Sequence, residues 1–498
     1  MTDLTDLTTS TGFLDLLPTA GGGPALLIGG EAVVTGATTE VTDPATGAVV
    51  AAVPDAGPAE VDAAVAAATA AGPAWAGTSG RQRGSVLLRW AALLREHKER
   101  LAALATAEMG KPIGESRGEV ERAAAEIEYS AGDAPRMSGQ TIPGDQPGSL
   151  VVTERVPVGV VAAITPWNFP IVAPVRKIAP ALAAGDTVVV KPAGESPLSA
   201  LAVVALLIEA GVPAGTVNVV CGSGSVVGAA LVAHPGVRGV SFTGSTSVGR
   251  GIAELAGRNL TPVQLELGGK NAAYVHSADD LGAVAGDIVS AAMQCSGQRC
   301  TAISRVVVED AVADELVAAL VSRVDALTVG PGTDPGTAVG PLVSDRQRDI
   351  VADYVRRGIE EGAVRVSADR PVPADGPYHV PVVLDRVTPD MVVAQEEIFG
   401  PVLSVLRVSG VEQAVAVVND SEYALAASVF STDLEVALTF LRGADTGMVH
   451  VNHGTASEPH VPFGGIGGSG MGAFSNGDTA KEFYTRTKVG YLRPAAPR

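Results

Sequence analysis

One cysteine near the middle of the chain is the strongest candidate for a nucleophile. The 498-residue sequence contains three cysteines, Cys221, Cys295 and Cys300. A lone cysteine is more often a small buried apolar residue than a reactive one. Cys300 differs because Arg299 precedes it, and a nearby cation stabilises the reactive thiolate. Gly297 allows a tight backbone approach, so we expect Cys300 on a turn after a helix, with its thiol available for attack.

A carboxylate upstream is placed to serve as a base. Glu266 lies between Leu265 and Leu267 and is followed by Gly268 and Gly269. A carboxylate in apolar surroundings can hold a pKa suited to general base catalysis. The alternative is a solvated carboxylate at the end of a strand, which the apolar neighbours disfavour. Glu266 is therefore the second candidate catalytic residue.

Seven short motifs extend this pair along the chain. They are ITPWNFP (164–170), KPAGESP (191–197), FTGSTSVG (242–249), ELGGK (266–270), GQRC (297–300), EEIFGP (396–401) and PFGG (462–465). In type, order and spacing they resemble the aldehyde dehydrogenase superfamily. The resemblance extends from about Asp43 to the C-terminus.

The resemblance implies a covalent mechanism. Cys300 attacks an aldehyde, Asn168 and the backbone N–H of Cys300 stabilise the oxyanion, and Glu266 activates the water that releases the acid. CoA-acylating relatives generally lack the glutamate, so Glu266 favours hydrolysis, and the cofactor motifs disfavour a plain thiol hydrolase. A binding protein without turnover is disfavoured because Lys191 is retained as well. Ser475 stands where the family often has a second glutamate, which affects proton relay.

The cofactor site departs from the usual dinucleotide fingerprint, which is absent. The segment 242–249 instead follows a strand and opens a helix, so Gly244 and Ser245 can face a pyrophosphate. Family relatives often have a ribose-binding glutamate three residues after Lys191, where this chain has Gly194. Losing that carboxylate removes repulsion against a 2′-phosphate, so we expect NADP or NAD, with NADP favoured. The remaining expected contacts are Thr165, Pro166, Trp167, Ala193, Glu195, Gly249, Leu267, Glu397 and Phe399.

Two arginines point to an anionic aldehyde. Arg176 lies on the segment that lines the aldehyde tunnel in the family, and Arg299 precedes the nucleophile as in members that act on anionic aldehydes. We expect a dicarboxylic semialdehyde, similar to succinate semialdehyde, with a broad-specificity aldehyde dehydrogenase as the alternative. Structural ion pairing is the other interpretation of either arginine. Further expected substrate contacts are Phe169, Gln294, His460 and Phe463.

Composition restricts the functional classes. The net charge of −19 opposes binding to nucleic acid or anionic membranes. Few cysteines and no visible leader predict a cytoplasmic protein without disulfides, and no His/Cys spacing suits a metal site. A small-molecule aldehyde is the expected partner.

Alternating strands and helices from position 159 predict an α/β fold with a doubly wound parallel sheet. The glycine-rich segment that ends at Pro24 predicts a mobile tail at 1–25. The resemblance implies an NAD(P)-binding domain at 26–137 and 155–267 and a catalytic domain at 268–466. It also implies an oligomerisation arm at 138–154 and 467–498 and a homodimer or homotetramer.

Overall fold

The structure, a computed structural model, describes residues 12–493. In chain order, the strands are β1 Thr19–Ala20, β2 Gly23–Pro24, β3 Leu26–Ile28, β4 Glu31–Val33, β5 Thr38–Thr42, β6 Val49–Pro54, β7 Thr141–Pro143, β8 Leu150–Pro157, β9 Val160–Ile164, β10 Thr187–Lys191, β11 Val217–Val219, β12 Val237–Thr243, β13 Val263–Glu266, β14 Asn271–Val275, β15 Ile303–Glu309, β16 Val364–Arg365, β17 Val382–Asp385, β18 Val402–Val408, β19 Tyr423–Ala424, β20 Ala426–Phe430, β21 Met448–Val451, β22 Ile466–Gly467, β23 Gly470–Met471 and β24 Thr485–Leu492. The helices are α1 Pro58–Ala76, α2 Gly80–Glu96, α3 Lys98–Met109, α4 Ile113–Asp133, α5 Val172–Ala184, α6 Pro197–Glu209, α7 Ala229–Ala233, α8 Thr246–Gly257, α9 Leu281–Met293, α10 Ala313–Asp325, α11 Asp345–Glu360, α12 Val392–Gln395, α13 Val411–Asn419, α14 Leu434–Gly443 and α15 Gly477–Tyr484.

An eight-stranded sheet runs in the order β23-β13-β12-β9-β10-β11-β3-β4. Strands β9 to β13 pair in parallel, and antiparallel strands complete both edges. Every residue of β9 and β10 is buried, because helices cover both faces of the sheet, which accounts for their continuous apolar sequence. The predicted doubly wound parallel sheet is confirmed.

A seven-stranded sheet follows in the order β16-β17-β18-β15-β14-β20-β21. All of its neighbours are parallel except the β16–β17 pair. Separate apolar clusters pack on its faces. The chain passes from one sheet to the other through residues 267–270, directly after Glu266 at the end of β13. This crossing places the carboxyl end of β13 at the junction of the two sheets.

Strands β7, β8 and β24 occupy the two segments predicted as the arm, 138–154 and 467–498, with β8 extending to Pro157. They form a three-stranded antiparallel sheet in the order β24-β8-β7. Strand β24 pairs with β8 along its full length, from Thr485 opposite Pro157 to Leu492 opposite Leu150.

The predicted mobile tail is wrong for residues 12–25. Leu14–Leu16 form a 3-10 turn, and β1 and β2 pair as a hairpin. Phe13, Leu16 and Leu17 are buried in the core of the first sheet, because this apolar segment gains more from burial than from solvation. Residues 1–11 lie outside the described part of the chain, and the other domain boundaries stay predictions. No helix within residues 12–493 has the length and apolarity needed to cross a bilayer.

Candidate active site

A cavity of about 1580 Å³ opens where the parallel strands of the first sheet end and the second sheet begins. Open parallel sheets bind ligands at this edge. Most of the residues predicted from the sequence line it: Thr165, Pro166, Trp167, Asn168, Phe169, Arg176, Lys191, Ala193, Gly194, Glu195, Gly244, Ser245, Glu266, Leu267, Arg299, Cys300, Glu397, Phe399 and Phe463. The fold thus brings the candidate nucleophile, base and cofactor residues to one site.

Three predicted residues do not reach the cavity wall directly. Gly249 packs behind Leu267, since an added Cβ would lie 2.4 Å from that side chain. Gln294 is exposed, and its oxygen accepts a hydrogen bond from the guanidinium of Arg299. His460 is also exposed, 3.3 Å from Glu458. Gln294 therefore reaches the site only through Arg299, and the structure does not bring His460 to it.

The nucleophile follows a strained turn, as predicted. Helix α9 ends at Met293, and Cys295 and Ser296 then take φ values of 56° and 56°, followed by Gly297 at 72°. This left-handed region disfavours side chains with a Cβ. A Cβ on Gly297 would lie 2.1 Å from the carbonyl oxygen of Gly400, so only glycine fits there. The turn carries Cys300, which is partly exposed, to the cavity.

The expected stabilisation of the thiolate is only partial. Burial raises the pKa of the Cys300 thiol to about 11, while Arg299 acts in the opposite direction. Glu397 and Glu266 add to the rise because they disfavour a second negative charge. The prediction that Arg299 lowers the pKa of the thiol has the right direction, but burial raises that pKa by more. At neutral pH the thiol of the free enzyme therefore keeps its proton.

Glu266 is buried at the end of β13, and its Oε2 atom has no hydrogen-bond partner within the described structure. Burial raises the pKa of this carboxyl above its ordinary value, and Lys177 and Arg176 oppose the rise. Lys177 Nζ in turn donates to Ser241 Oγ at 3.0 Å. An unpartnered carboxylate oxygen with a raised pKa is suited to removing a proton from water. Ser475 lies nearby, and its hydroxyl donates to the carbonyl of Phe463 at 3.0 Å.

Asn168 faces the nucleophile turn. Its Nδ2 atom donates to the backbone carbonyl of Gln298 at 2.8 Å. A side-chain amide has two N–H donors, so this bond fixes the orientation of the amide and leaves the second N–H for a ligand. Asn168 and Cys300 are thus placed to bind one oxygen atom of a substrate.

At the cofactor end, helix α8 begins beside the end of β12, as predicted. Ser245 Oγ caps it by accepting from Val248 N at 3.5 Å. The prediction for Gly244 needs correction, because its N–H donates to the carbonyl of Glu266 at 3.1 Å and is not available to a phosphate. A larger residue does not fit at Gly244, since an added Cβ would lie 2.4 Å from the ring of Phe242. The capped helix N-terminus remains the anion-binding element.

The residues present fit a nicotinamide dinucleotide. Lys191, mostly buried at the end of β10, faces the same cavity as the start of α8. Glu397 Oε1 accepts from Gly269 N at 2.9 Å, near the nucleophile turn. Phe399 has a φ of 57° and meets the Trp167 ring edge-to-face at 5.4 Å. All of these residues line one cavity, with Lys191 and α8 as candidates for the adenosine end of the cofactor and Glu397 and Phe399 for the nicotinamide end.

Gly194 offers a direct test of cofactor preference. It is exposed on the cavity wall, and an added Cβ would meet no atom within 4 Å. We expect Gly194→Glu to shift the ratio of kcat/KM for NADP over NAD roughly tenfold or more toward NAD, through a new ribose acceptor and repulsion of the 2′-phosphate. Gly194→Gln is the control, because it matches the size without the charge. Equal shifts in both variants, or a wild type that uses NAD alone, would contradict the prediction.

Arg176 is already engaged by a carboxylate. Its guanidinium contacts Glu126 at 2.5 and 3.1 Å and stacks 4.7 Å from the ring centre of Phe463. This is the structural ion pair that the sequence left open as an alternative. Arg299 Nη2 donates to the carbonyl of Thr455 at 3.2 Å, and no carboxylate lies within 4 Å of it in the described residues. Arg299 therefore has no carboxylate in direct contact, although Glu115 is close enough to favour its positive charge.

Sequence reasoning missed Arg122, which lines the same cavity. Its Nε atom is buried without a hydrogen-bond partner within the described residues, and it lies 3.4 Å from Glu126 in a poorly aligned contact. Burial and the positive charges of Arg176 and Arg299 together lower the pKa of Arg122 to about 10, against the opposing effect of Glu126. One signal was available. Glu115, Glu119, Arg122 and Glu126 recur every three or four positions and so share one face of α4.

A thiol on a strained turn, next to an unpartnered carboxylate and a dinucleotide crevice, defines a cofactor-dependent enzyme with a covalent nucleophile. The sequence places that enzyme in a family. The pattern of the aldehyde dehydrogenase family matches residues 33–489, and the chain belongs to this family. It is an aldehyde dehydrogenase that uses NAD or NADP. The resemblance inferred from the motifs is confirmed.

Several relatives are similar over most of the chain. An α-ketoglutaric semialdehyde dehydrogenase of Bacillus subtilis is 39% identical, covering 84% of this chain and 87% of the relative. A succinate-semialdehyde dehydrogenase [NADP(+)] of Escherichia coli is also 39% identical, covering 87% and 90%. Betaine aldehyde dehydrogenase of Staphylococcus aureus, solved with NAD+, superposes with a TM-score of 0.93 at 31% identity, covering 98% of each chain.

Within residues 12–493, no three His, Cys, Asp or Glu side chains come together in a way that could hold a metal ion.

Proposed function

We propose that this enzyme oxidises a short dicarboxylic semialdehyde, such as succinate semialdehyde, to the corresponding dicarboxylic acid. The observation that carries the proposal is the group of three arginines beside Cys300, formed by Arg122, Arg176 and Arg299. Guanidinium groups repel one another in a partly desolvated site, and a carboxylate between them relieves that repulsion. The names of the Bacillus subtilis and Escherichia coli relatives support a substrate of this class.

The proposed chemistry begins at Cys300. Once the thiol proton has passed to water in the cavity, the sulfur attacks the aldehyde carbon, and the carbonyl oxygen becomes an alkoxide held by Asn168 Nδ2 and the backbone N–H of Cys300. The bound nicotinamide supplies the hydride acceptor that converts this adduct to a thioester. Glu266 then takes a proton from water, the hydroxide attacks the thioester, and the carboxylic acid leaves. Cys300, Asn168 and Glu266 all line the same cavity, so each can reach a substrate bound there.

The contacts distinguish the roles of the three arginines. Arg176 is paired with Glu126, whereas Arg299 contacts only neutral acceptors and Arg122 is poorly matched to Glu126. An arriving carboxylate therefore gains most from Arg122 and Arg299. We assign the distal carboxylate to this pair, with Arg176 and Glu126 holding the wall beside it. A fixed carboxylate also sets the distance of the aldehyde carbon from the thiol.

Replacing Arg122 tests this assignment. Arg122→Leu leaves the Arg176–Glu126 pair intact, and deletion of a charged hydrogen bond typically costs ~1.5–3 kcal/mol. We expect kcat/KM for succinate semialdehyde to fall about ten- to a hundredfold, with hexanal nearly unchanged. The matched control is Arg176→Leu, which breaks the ion pair and the contact with Phe463 and so lowers kcat/KM for both aldehydes.

Steady-state kinetics with both aldehydes decide between the candidate substrates. A wild type that prefers hexanal or benzaldehyde contradicts the semialdehyde assignment and favours a broad-specificity enzyme. If Arg122→Leu lowers kcat/KM equally for both aldehydes, the role of Arg122 is structural.

Assembly and location form part of the same proposal. The chain forms a homodimer or homotetramer through the arm of β7, β8 and β24. In support, Val489, Tyr491 and Leu492 are exposed apolar side chains on β24, and edge strands with such side chains pair readily with another chain.

Three free cysteines suit the reducing cytoplasm.

A further inference from the structure

A buried ion pair lies behind the amide of Asn168. Lys111 and Glu119 are each about 1% exposed and contact one another directly. Burial acts to lower the pKa of Lys111, but the Glu119 carboxylate outweighs it and the pKa lies above its ordinary value. The two side chains form this pair although they are removed from solvent. Buried charges are costly unless each is fully hydrogen-bonded, so their contacts indicate what the pair does.

Within residues 12–493, the other side-chain hydrogen bonds of this pair all go to one segment, residues 168–172. Lys111 Nζ donates to the backbone carbonyl of Asn168 at 2.8 Å and lies 4.4 Å from the ring centre of Phe169. Glu119 Oε1 accepts from the N–H groups of Ile171 and Val172 at 2.8 and 2.9 Å. Helix α5 has no cap from its own N-terminal side chain, so Glu119 of α4 caps it from a different helix. The pair thus fixes the backbone on both sides of Phe169.

The same face of α4 also holds the turn before Cys300, whose backbone N–H is the second proposed oxyanion donor. Glu115 Oε2 accepts from Cys295 N at 2.7 Å, at the first residue of the left-handed turn before Cys300. Glu115 and Glu119 are four positions apart, so they project from the same side of the helix. The amide of Asn168 and the nucleophile turn are then bridged by the bond from Asn168 Nδ2 to the Gln298 carbonyl.

We infer that the Lys111–Glu119 ion pair is a positioning device that aims the Asn168 amide at the oxyanion formed on Cys300. This inference rests on the oxyanion role proposed above for Asn168. Neither side chain lines the cavity, so the pair acts on the reaction only through residues 168–172, which include Asn168. A displacement of about 1 Å in such a donor can cost roughly a hundredfold in rate. Loss of the pair should therefore slow the chemical step and leave substrate affinity unchanged.

A double-mutant cycle tests this dependence. Lys111→Met/Glu119→Gln removes both charges, and Gln can still accept a bond from α5, so no buried charge is left unpaired. The cycle compares wild type, this variant, Asn168→Ala and their combination. The measurement is the single-turnover rate of NAD(P)H formation at saturating cofactor and succinate semialdehyde, followed at 340 nm. Should the double variant not fold, Lys111→Gln replaces it in the same cycle.

We expect the charge-free pair to slow this rate about ten- to a hundredfold when Asn168 is present, with KM little changed. In the Asn168→Ala background the further loss should be less than about threefold, because coupled residues are not additive. Asp186→Asn is the control for stability. Asp186 is a buried carboxylate that accepts from Gly159 N at 2.8 Å and does not line the cavity. It should lower Tm without changing the rate.

The outcomes separate the two claims. If Asn168→Ala alone leaves the rate unchanged, the oxyanion role fails and the positioning role fails with it. If Asn168→Ala slows the reaction but the charge-free pair has no effect, only the positioning role is overturned. The same holds if the pair slows the reaction by an equal factor in both backgrounds, because the effect then does not pass through Asn168.

Discussion

Replacing Glu266 with glutamine should let the enzyme complete one hydride transfer per active site and then stall. The sulfur of Cys300 can still form the adduct and the thioester, because neither step needs this carboxylate. The amide cannot take a proton from water, so hydrolysis slows, and loss of a general base typically costs ~10²–10⁴-fold. Stopped-flow absorbance at 340 nm should show a burst equal to the enzyme concentration, followed by a much slower steady state.

The control for this variant is Ser475→Ala. It removes the hydroxyl that donates to the Phe463 carbonyl near Glu266 but leaves the proposed base in place. Because this hydroxyl also helps to lower the pKa of Glu266, the variant should slow hydrolysis far less than Glu266→Gln and should not stall after one turnover. A Glu266→Gln enzyme that turns over at the wild-type rate would show that another group activates the water.

Cys300→Ala should abolish aldehyde oxidation, with a loss of about 10⁴-fold or more, because the thiol supplies the covalent step. Cofactor affinity should stay near the wild-type value, since Lys191 and the start of α8 are untouched. Isothermal titration with NAD and NADP measures the second quantity, and steady-state turnover measures the first.

Cys295→Ala is the matched control for Cys300→Ala. Cys295 is fully buried, and its sulfur faces the carbonyl of Asn168 at 3.6 Å. Burial raises the pKa of its thiol, and unlike Cys300 it does not line the cavity, so its loss should leave turnover largely intact. Turnover that survives Cys300→Ala and disappears with Cys295→Ala would reverse the assignment.

Local sequence and the family resemblance together supplied the candidates for the covalent chemistry. Cys300, Glu266 and Asn168 each sit in a short motif whose turn or strand end is fixed by nearby residues, such as Gly297 before the thiol. The parallel sheet was predictable for a similar reason, because β9 and β10 are continuous apolar runs between helices. Their convergence at one cavity follows from the rule that parallel strands share a ligand-binding edge.

The electrostatic partners could not be found from local sequence. Arg176 is paired with Glu126, fifty positions earlier in the chain, and only the packing of α4 against α5 brings them together. Arg122 was missed for the same reason. Its Nε atom is left without a hydrogen-bond partner among the described residues only because of how the Arg176–Glu126 pair packs beside it. The free N–H expected at Gly244 was lost to the Glu266 carbonyl on the neighbouring strand. Each of these outcomes depends on tertiary contacts that spacing along the chain does not reveal.

The central claim is that the substrate becomes a thioester on Cys300, and mass spectrometry of the Glu266→Gln enzyme tests it most directly. The enzyme is mixed with succinate semialdehyde and cofactor, quenched in acid after the burst and digested for peptide mapping. The account predicts one added succinyl group per chain, located on the peptide that contains Cys300 and released by hydroxylamine. An unmodified Cys300 peptide after a full burst, or an acyl group on a different residue, would contradict it.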